Sequence, residues 1–175
     1  MHRVVVNNIS SSCAIIALGS NLGDAVENIL HAMRRLQEFS NEPLLPSSLW
    51  QTTPVGCPPG SPLFVNAVIG LVPFSHETPE SLLEKLQQME KEFGRQPKKL
   101  LNEARPLDLD LIAFGNETRK TTQIALPHPR AHERRFVLQP FAEIAPDYIL
   151  PGQEKTVKEL LNSLASSEIL VRIAS

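Results

Sequence analysis

The sequence predicts an α+β fold: an antiparallel sheet, two helices packed on one face, and a helical and hairpin extension at the C-terminal end. Three observations carry this. Two segments, Val26 to Leu36 and Leu82 to Phe93, repeat apolar residues at three- and four-residue spacing, the stripe of a helix that buries one face. Four short runs around them are apolar by alternation or without a break, as strands are. With 175 residues, 42% of them hydrophobic and 21% charged, the chain suits one well-buried domain and is short for two.

Cys13 to Leu18 reads as the first strand, followed by the turn Gly19-Ser20-Asn21-Leu22-Gly23-Asp24. Asp24 is a natural N-cap, with Glu27 three residues on. Val26, Ile29, Leu30, Met33 and Leu36 then form the apolar face of a helix running to about Phe39. Leu45 to Gln51 reads as a second strand and Phe64 to Val72 as a third. The Pro- and Gly-rich stretch Thr52 to Gly60 between them is a loop. The second helix opens at Thr78 with Pro79 in its first turn, where the missing N–H costs nothing. Leu82, Leu86, Met89 and Phe93 are its stripe, and Gly94 ends it.

A long basic loop, Arg95 to Pro106, leads into the fourth strand, Ala104 to Phe114. The order strand-helix-strand-strand-helix-strand is that of a split βαβ, ferredoxin-like sandwich. Short helices follow around Ala131 to Leu138 and Val157 to Leu164. The expected organisation is a single domain over 13–170, with residues 1–12 a disordered or frayed extension and the last few residues frayed as well.

Composition narrows the function classes. A net charge of -2 argues against a nucleic-acid binder, which normally carries a strong basic excess. The longest plain apolar run, Cys13 to Leu18, is strand-sized, so no membrane span is expected. Cys13 and Cys57 lack the spacing of a zinc site, and no secretory signal precedes them, so a cytoplasmic protein is expected. The 15 prolines cluster over 43–62, 97–106 and 127–151, which marks these as the loops where function concentrates.

The fourth strand carries the strongest chemical signal. Asp108 and Asp110 are two apart, so their carboxylates share a face. Like charges that close repel, and a divalent cation with oxygen ligands is the usual compensation. Arg105 just upstream suggests a phosphate beyond it. The plainer reading is a wet strand with two solvated aspartates.

Four segments in this order resemble the 6-hydroxymethyl-7,8-dihydropterin pyrophosphokinase family. They are Ala17 to Asp24; Thr53-Pro54-Val55-Gly56 with Phe64-Val65-Asn66-Ala67; Arg105 to Phe114; and Leu126-Pro127-His128-Pro129-Arg130, continuing through Glu133 to Asp147. The resemblance runs from about Ala14 to Pro151. It implies transfer of pyrophosphate from ATP to the pterin's hydroxymethyl oxygen, giving the pterin diphosphate and AMP in folate biosynthesis.

It also implies site residues. Asp108 and Asp110 would hold two Mg²⁺ ions, an arrangement suited to clamping attacking and leaving oxygens in line. Phe64 and Phe136 would sandwich the flat pterin, with Asn66 and the loop residues Thr52, Thr53 and Val55 at its polar edge. Taken singly, the two phenylalanines read as core and Asn66 as a turn residue. ATP would be met by Gln87, Glu90, Arg95, Arg105, the backbone of Leu111, His128 and Arg134, with Arg95 and Arg105 also catalytic. Lys98, Lys99, Arg130, His132 and Arg135 add to a basic cleft on a slightly acidic body. The partners implied are small molecules only, and the chain is expected to be a monomer.

The loop departs from the commoner family pattern. Pro97 stands where many members carry a second arginine, and Leu101 and Asn102 replace a basic and an aromatic residue. Two rival readings follow: a non-catalytic ferredoxin-like domain that binds pterin or nucleotide and releases no AMP, and an interaction module with no Mg²⁺-dependent ligand.

Overall fold

The computed structural model describes residues 12–53, 59–95 and 104–173. The expectations for residues 1–11, Val55, Cys57, Pro97, Lys98, Lys99, Leu101 and Asn102 lie outside the described residues.

All seven residues of β1 (Ala14–Ser20) are buried, because the strand lies inside the sheet with neighbours on both edges and both faces. It pairs antiparallel with β4 (Phe64–Leu71) and with β5 (Asp108–Phe114). Two short strands, β2 (Leu45–Pro46) and β3 (Trp50–Thr52), both pair with β4 where one continuous strand was expected. The break has a local cause. Pro46 has no N–H to donate, and the Ser47 hydroxyl accepts from Val68 N at 2.9 Å where the ladder lapses. The register slips by one residue between the pairs Pro46↔Ile69 and Trp50↔Asn66, a bulge that turns the strand.

Helices α1 (Ala25–Leu36) and α2 (Pro79–Glu92) pack on one sheet face, as expected, with a 3-10 turn over Gln37–Phe39 completing the first. Asp24 caps α1 through Glu27 N, and Thr78 and Ser81 form a reciprocal capping box at α2. Ile29, Ala32 and Leu36 meet Leu82, Leu86 and Met89 over Ile16, Leu18, Leu109 and Leu111. A two-stranded hairpin, β6 (Arg119–Lys120) with β7 (Ala125–Leu126), adds Leu126 to this core.

The C-terminal extension roofs the other face. A 3-10 turn at Ala131–Glu133 precedes α3 (Arg135–Ile144), which runs six residues past the expected end and through Pro140. Val137, Leu138, Phe141 and Ile144 form a buried stripe against Ile15, Ala17, Val68 and Ile112, and that burial outweighs the cost of an internal proline. Helix α4 (Val157–Ser163) supports α3. Strand β8 (Leu170–Arg172) pairs with β3 and becomes the sheet edge, while residues 174–175, at the end expected to fray, lie outside the described residues. The order β5-β1-β4-β3-β8 is the fourth-first-third-second order of the split βαβ motif plus one added strand. Among the described residues, no helix is long and apolar enough to cross a membrane.

Candidate active site

Strand register gathers the site. Residues paired across an antiparallel ladder share a face, and the pairs Thr52↔Phe64, Gly19↔Asn66, Gly19↔Asp108 and Ala17↔Asp110 put Thr52, Phe64, Asn66, Asp108 and Asp110 on the face away from α1 and α2. This is the face that α3 covers. The apolar end, with Ile15 and Val68, lies under α3, while the polar end remains partly open, Asp108 and Asp110 keeping 26% and 31% of their side-chain surface exposed. The face is therefore open at only one end.

Gly19 forms the floor between the carboxylate pair and Asn66. A Cβ there would stand 2.9 Å from Asn66 Oδ1, and 3.7 Å from Phe64 Cδ1. The Asn66 amide is fixed from its other side, where Nδ2 donates to Thr52 Oγ1 at 2.6 Å. That bond directs the oxygen of the buried Asn66 toward Gly19 on the floor of the site.

Three arginines surround the aspartates. Arg95 Nη1 donates to Asp108 Oδ1 at 3.0 Å and also to Glu90 Oε2. Arg105 Nε lies 3.9 Å from Asp108 Oδ2, and Arg134 Nη1 lies 4.0 Å from Asp110 Oδ2. The same guanidinium groups reach the two candidate stacking rings, Arg105 at 5.9 Å from the Phe64 centroid and Arg134 at 5.5 Å from that of Phe136. Arg105 Nε is buried and has no hydrogen-bond partner among the described residues, a donor with capacity for an oxygen ligand.

The electrostatics reflect crowding. Burial, followed by the charge of Asp108, pushes the Asp110 carboxyl up to about 6, against the pull of Arg134, Arg105 and Arg95. Burial pushes Glu90 up to about 7, although Leu109 N donates to its Oε2 at 2.9 Å and Arg95 lies beside it. His128 is held below its ordinary value by burial and by Arg134, so its ring is neutral at pH 7. Its Nδ1 accepts from Arg130 N at 3.2 Å, which leaves the ring proton on Nε2 as a donor.

The expected ATP residues are spread over α2, the edge strand β5 and the segment leading into α3. His128 N donates to Ile112 O at 2.8 Å on the outer side of β5, across from α2. Gln87 is exposed on α2, one turn before the buried Glu90, whose carboxylate braces Arg95 and Leu109. The Leu111 side chain is in the helix-covered core, and its backbone lies on this edge strand opposite Ile16. Thr53 and Phe136 are both tied to the segment before β8, Thr53 N donating to Ile169 O at 3.3 Å and Phe136 N to Glu168 Oε2 at 3.1 Å.

Some contributors carried no clear sequence signal. Asn21, expected as a turn residue near the pterin loop, ties three segments together. Its Oδ1 accepts from Arg105 N at 2.9 Å, its N donates to Arg105 O at 3.1 Å and its Nδ2 to Pro62 O at 3.4 Å. Glu143 of α3 accepts from Trp50 Nε1 and from Ser48 Oγ, pinning β3 to the roof from more than 90 positions away, a distance no local pattern reports.

Residues 15–146 match the profile of the family described as 7,8-dihydro-6-hydroxymethylpterin-pyrophosphokinase. The chain belongs to this family. It is 37% identical over 158 residues to the 2-amino-4-hydroxy-6-hydroxymethyldihydropteridine pyrophosphokinase of Haemophilus influenzae, covering 90% of this chain and 96% of that one. It is 32% identical over 163 residues to the folic acid synthesis protein fol1 of Pneumocystis carinii, spanning 93% of this chain but only 22% of that longer protein. Among solved structures, wild-type Plasmodium falciparum HPPK-DHPS with pteroate shares the fold at TM-score 0.65 and 14% identity, covering 86% of this chain and 42% of that one. The chain is thus an ATP-dependent pyrophosphokinase of folate synthesis, and the non-catalytic and interaction-module readings give way to the enzyme.

Proposed function

We propose that the polar end of this sheet face is where 6-hydroxymethyl-7,8-dihydropterin and ATP meet. The observation that carries the reading is the placement of Asp108 and Asp110 beside the Gly19–Asn66 floor, ringed by Arg95, Arg105 and Arg134. The pterin lies between Phe64 and Phe136, its edge hydrogen-bonded to Asn66 and to the Thr52–Val55 segment. ATP lies along the β5 edge, near Gln87, Glu90, Leu111 and His128. The hydroxymethyl oxygen attacks the β-phosphorus and gives up its proton, the new O–P bond forms as the bond from the β-phosphorus to the bridging α-phosphate oxygen breaks, and AMP and H⁺ depart.

The donor set fits Mg²⁺. Two carboxylates share one face and keep part of their surface exposed, as suits an ion that takes one or two protein carboxylates and completes its shell with phosphate and water. Asp108 and Asp110 would hold it, two ions being proposed, and when bound it neutralises phosphate charge and aligns attacking and leaving oxygens. Arg95 and Arg105 supply guanidinium forks for the β- and γ-phosphates, the unsatisfied Arg105 Nε among their donors. His128, neutral with its proton on Nε2, adds a donor without adding charge. The two rings exclude water from the reacting oxygen. On this reading the chain works as a monomer in the cytoplasm.

Arg95→Ala should lower turnover more than it weakens ATP binding, because a group that gains its partners as charge moves acts on the rate. Steady-state rates set beside calorimetric ATP affinity check this, and an unchanged rate removes Arg95 from the catalytic set. The carboxylate assignment has a pH signature. Protons compete with Mg²⁺ for Asp110, whose carboxyl titrates at about 6 in the free protein. Calorimetric titration should therefore show Mg²⁺-dependent ATP affinity that is steady above pH 7 and falls as pH drops through 6. Nucleotide affinity indifferent to both Mg²⁺ and pH would contradict the assignment.

A further inference from the structure

The C-terminal segment after α4 takes a path that the pyrophosphokinase reaction does not itself require. Leu164 O accepts from Arg135 Nη2 at 3.1 Å, and Ser166 Oγ accepts from Glu168 N at 3.1 Å. Glu168 then extends its carboxylate to the start of α3, where Oε2 accepts from Phe136 N at 3.1 Å. One residue later Ile169 and Thr53 exchange two bonds, N to Oγ1 and N to O, each 3.3 Å. Leu170 to Arg172 complete the crossing as β8, paired with Trp50 to Thr52, and Ile173 N donates to Leu49 O at 2.9 Å. Six consecutive residues of the tail, Glu168 to Ile173, therefore join the helix that carries Phe136 to β3, which carries Thr52 and leads into Thr53.

Helix α3 needs that carboxylate. Its N-cap is Arg134, which offers no side-chain acceptor to the first turn, and the first turn contains no acidic residue. The leading N–H groups of a helix have no partner within it and favour negative charge. Glu168 supplies both the acceptor and the charge from 32 residues downstream. The cost is visible in its titration: burial raises the Glu168 carboxyl, while the Phe136 and Arg135 backbone donors pull it back down. The neighbouring loop supplies no alternative cap among the described residues, since the 3-10 turn at Ala131–Glu133 also lacks a side-chain cap bond.

We infer that Glu168 is a positioning residue of the pterin site: its carboxylate holds the Phe136 backbone in register with Thr52 and Thr53, and so sets the Phe136 wall of the pocket. The inference rests on the reading that Phe136 stacks on the pterin. Glu168 itself touches no substrate. It acts through Phe136, and its effect falls mainly on the pterin: of the residues proposed to meet ATP only Arg134 stands at the start of α3, while Gln87, Glu90, Leu111 and His128 are on α2, β5 and the loop after β7.

Glu168→Ala, Glu168→Gln, Phe136→Ala and the Glu168→Ala/Phe136→Ala double variant separate these claims. The measurements are KM for 6-hydroxymethyl-7,8-dihydropterin, KM for ATP, and the melting temperature. Glu168→Ala should raise the pterin KM about tenfold, the scale of one lost hydrogen bond, and change the ATP KM several-fold less. Glu168→Gln keeps an acceptor for Phe136 N and should restore most of the pterin affinity. The double variant should bind pterin no worse than Phe136→Ala alone, because a residue acting through another adds nothing once the other is gone. An unaltered pterin KM in Glu168→Ala, equal losses for both substrates, or additive effects in the double variant would each overturn the positioning role. A Phe136→Ala enzyme with normal pterin KM would instead overturn the stacking reading on which it rests, whatever Glu168 does.

Discussion

Asp108→Ala and Asp110→Ala should each cut AMP production by about 10³-fold or more, with pterin affinity changed little, since the electrostatic stabilisation of transferring phosphate is what they would provide. The two variants differ in a way the geometry specifies. Asp108 also accepts from Arg95 Nη1 at 3.0 Å, so its loss releases that guanidinium to Glu90 alone. Among the described residues Asp110 is ion-paired only with Arg134, at 4.0 Å, so its loss removes a proposed metal ligand with less disturbance of the arginine ring.

Neither loss should unfold the protein. The ordinary carboxyl value for Asp110 is 3.8, and the folded value is raised to about 6 by burial and by Asp108. A group whose value is raised on folding contributes its stability at low pH and loses it as pH rises through the folded value. Asp110→Asn should therefore raise the melting temperature more at pH 8 than at pH 4. Activity near wild type in both alanine variants, measured beside pterin binding by calorimetry, would contradict the carboxylate assignment.

Gly19→Ala is the second large effect. A methyl group at this position would stand 2.9 Å from Asn66 Oδ1, closer than real contacts allow, so the amide must turn. Turning it breaks the 2.6 Å bond from Nδ2 to Thr52 Oγ1 and misaligns the acceptor proposed for the pterin edge. A site built to hydrogen-bond its ligand loses heavily when that partner is displaced, so kcat/KM for the pterin should fall by about 10²-fold while ATP affinity is retained. Asn66→Ala in the same assay is the companion. Both variants should fail alike, and a Gly19→Ala enzyme with full pterin affinity would remove Asn66 from the floor of the site.

The fold was legible where local chemistry decides it. Asp24, Thr78 and Pro79 mark helix starts by capping chemistry, and the Leu82, Leu86, Met89 stripe is buried as its spacing predicts. The same-face placement of Asp108 and Asp110 follows from the period of a strand and needs no tertiary information. What was not legible depends on contacts distant in sequence. The broken second strand depends on Ser47 substituting its hydroxyl for a ladder bond to Val68. The extent of α3 depends on an apolar face waiting at Ile15, Ala17 and Val68, which overrides Pro140. Strand β8 is too short and too exposed to announce itself, and it exists because β3 offers an unpaired edge. Glu90 illustrates the same limit within the site: its helical position relative to Gln87 was readable, but its engagement with Arg95 and Leu109 N was not.

The most direct measurement is AMP release from ATP and Mg²⁺, followed with and without 6-hydroxymethyl-7,8-dihydropterin. If pterin and ATP meet over Asp108 and Asp110, AMP appears only when the pterin is present, one for each pterin diphosphate formed. ADP as the product, or AMP at the same rate without pterin, would contradict transfer of pyrophosphate at this site.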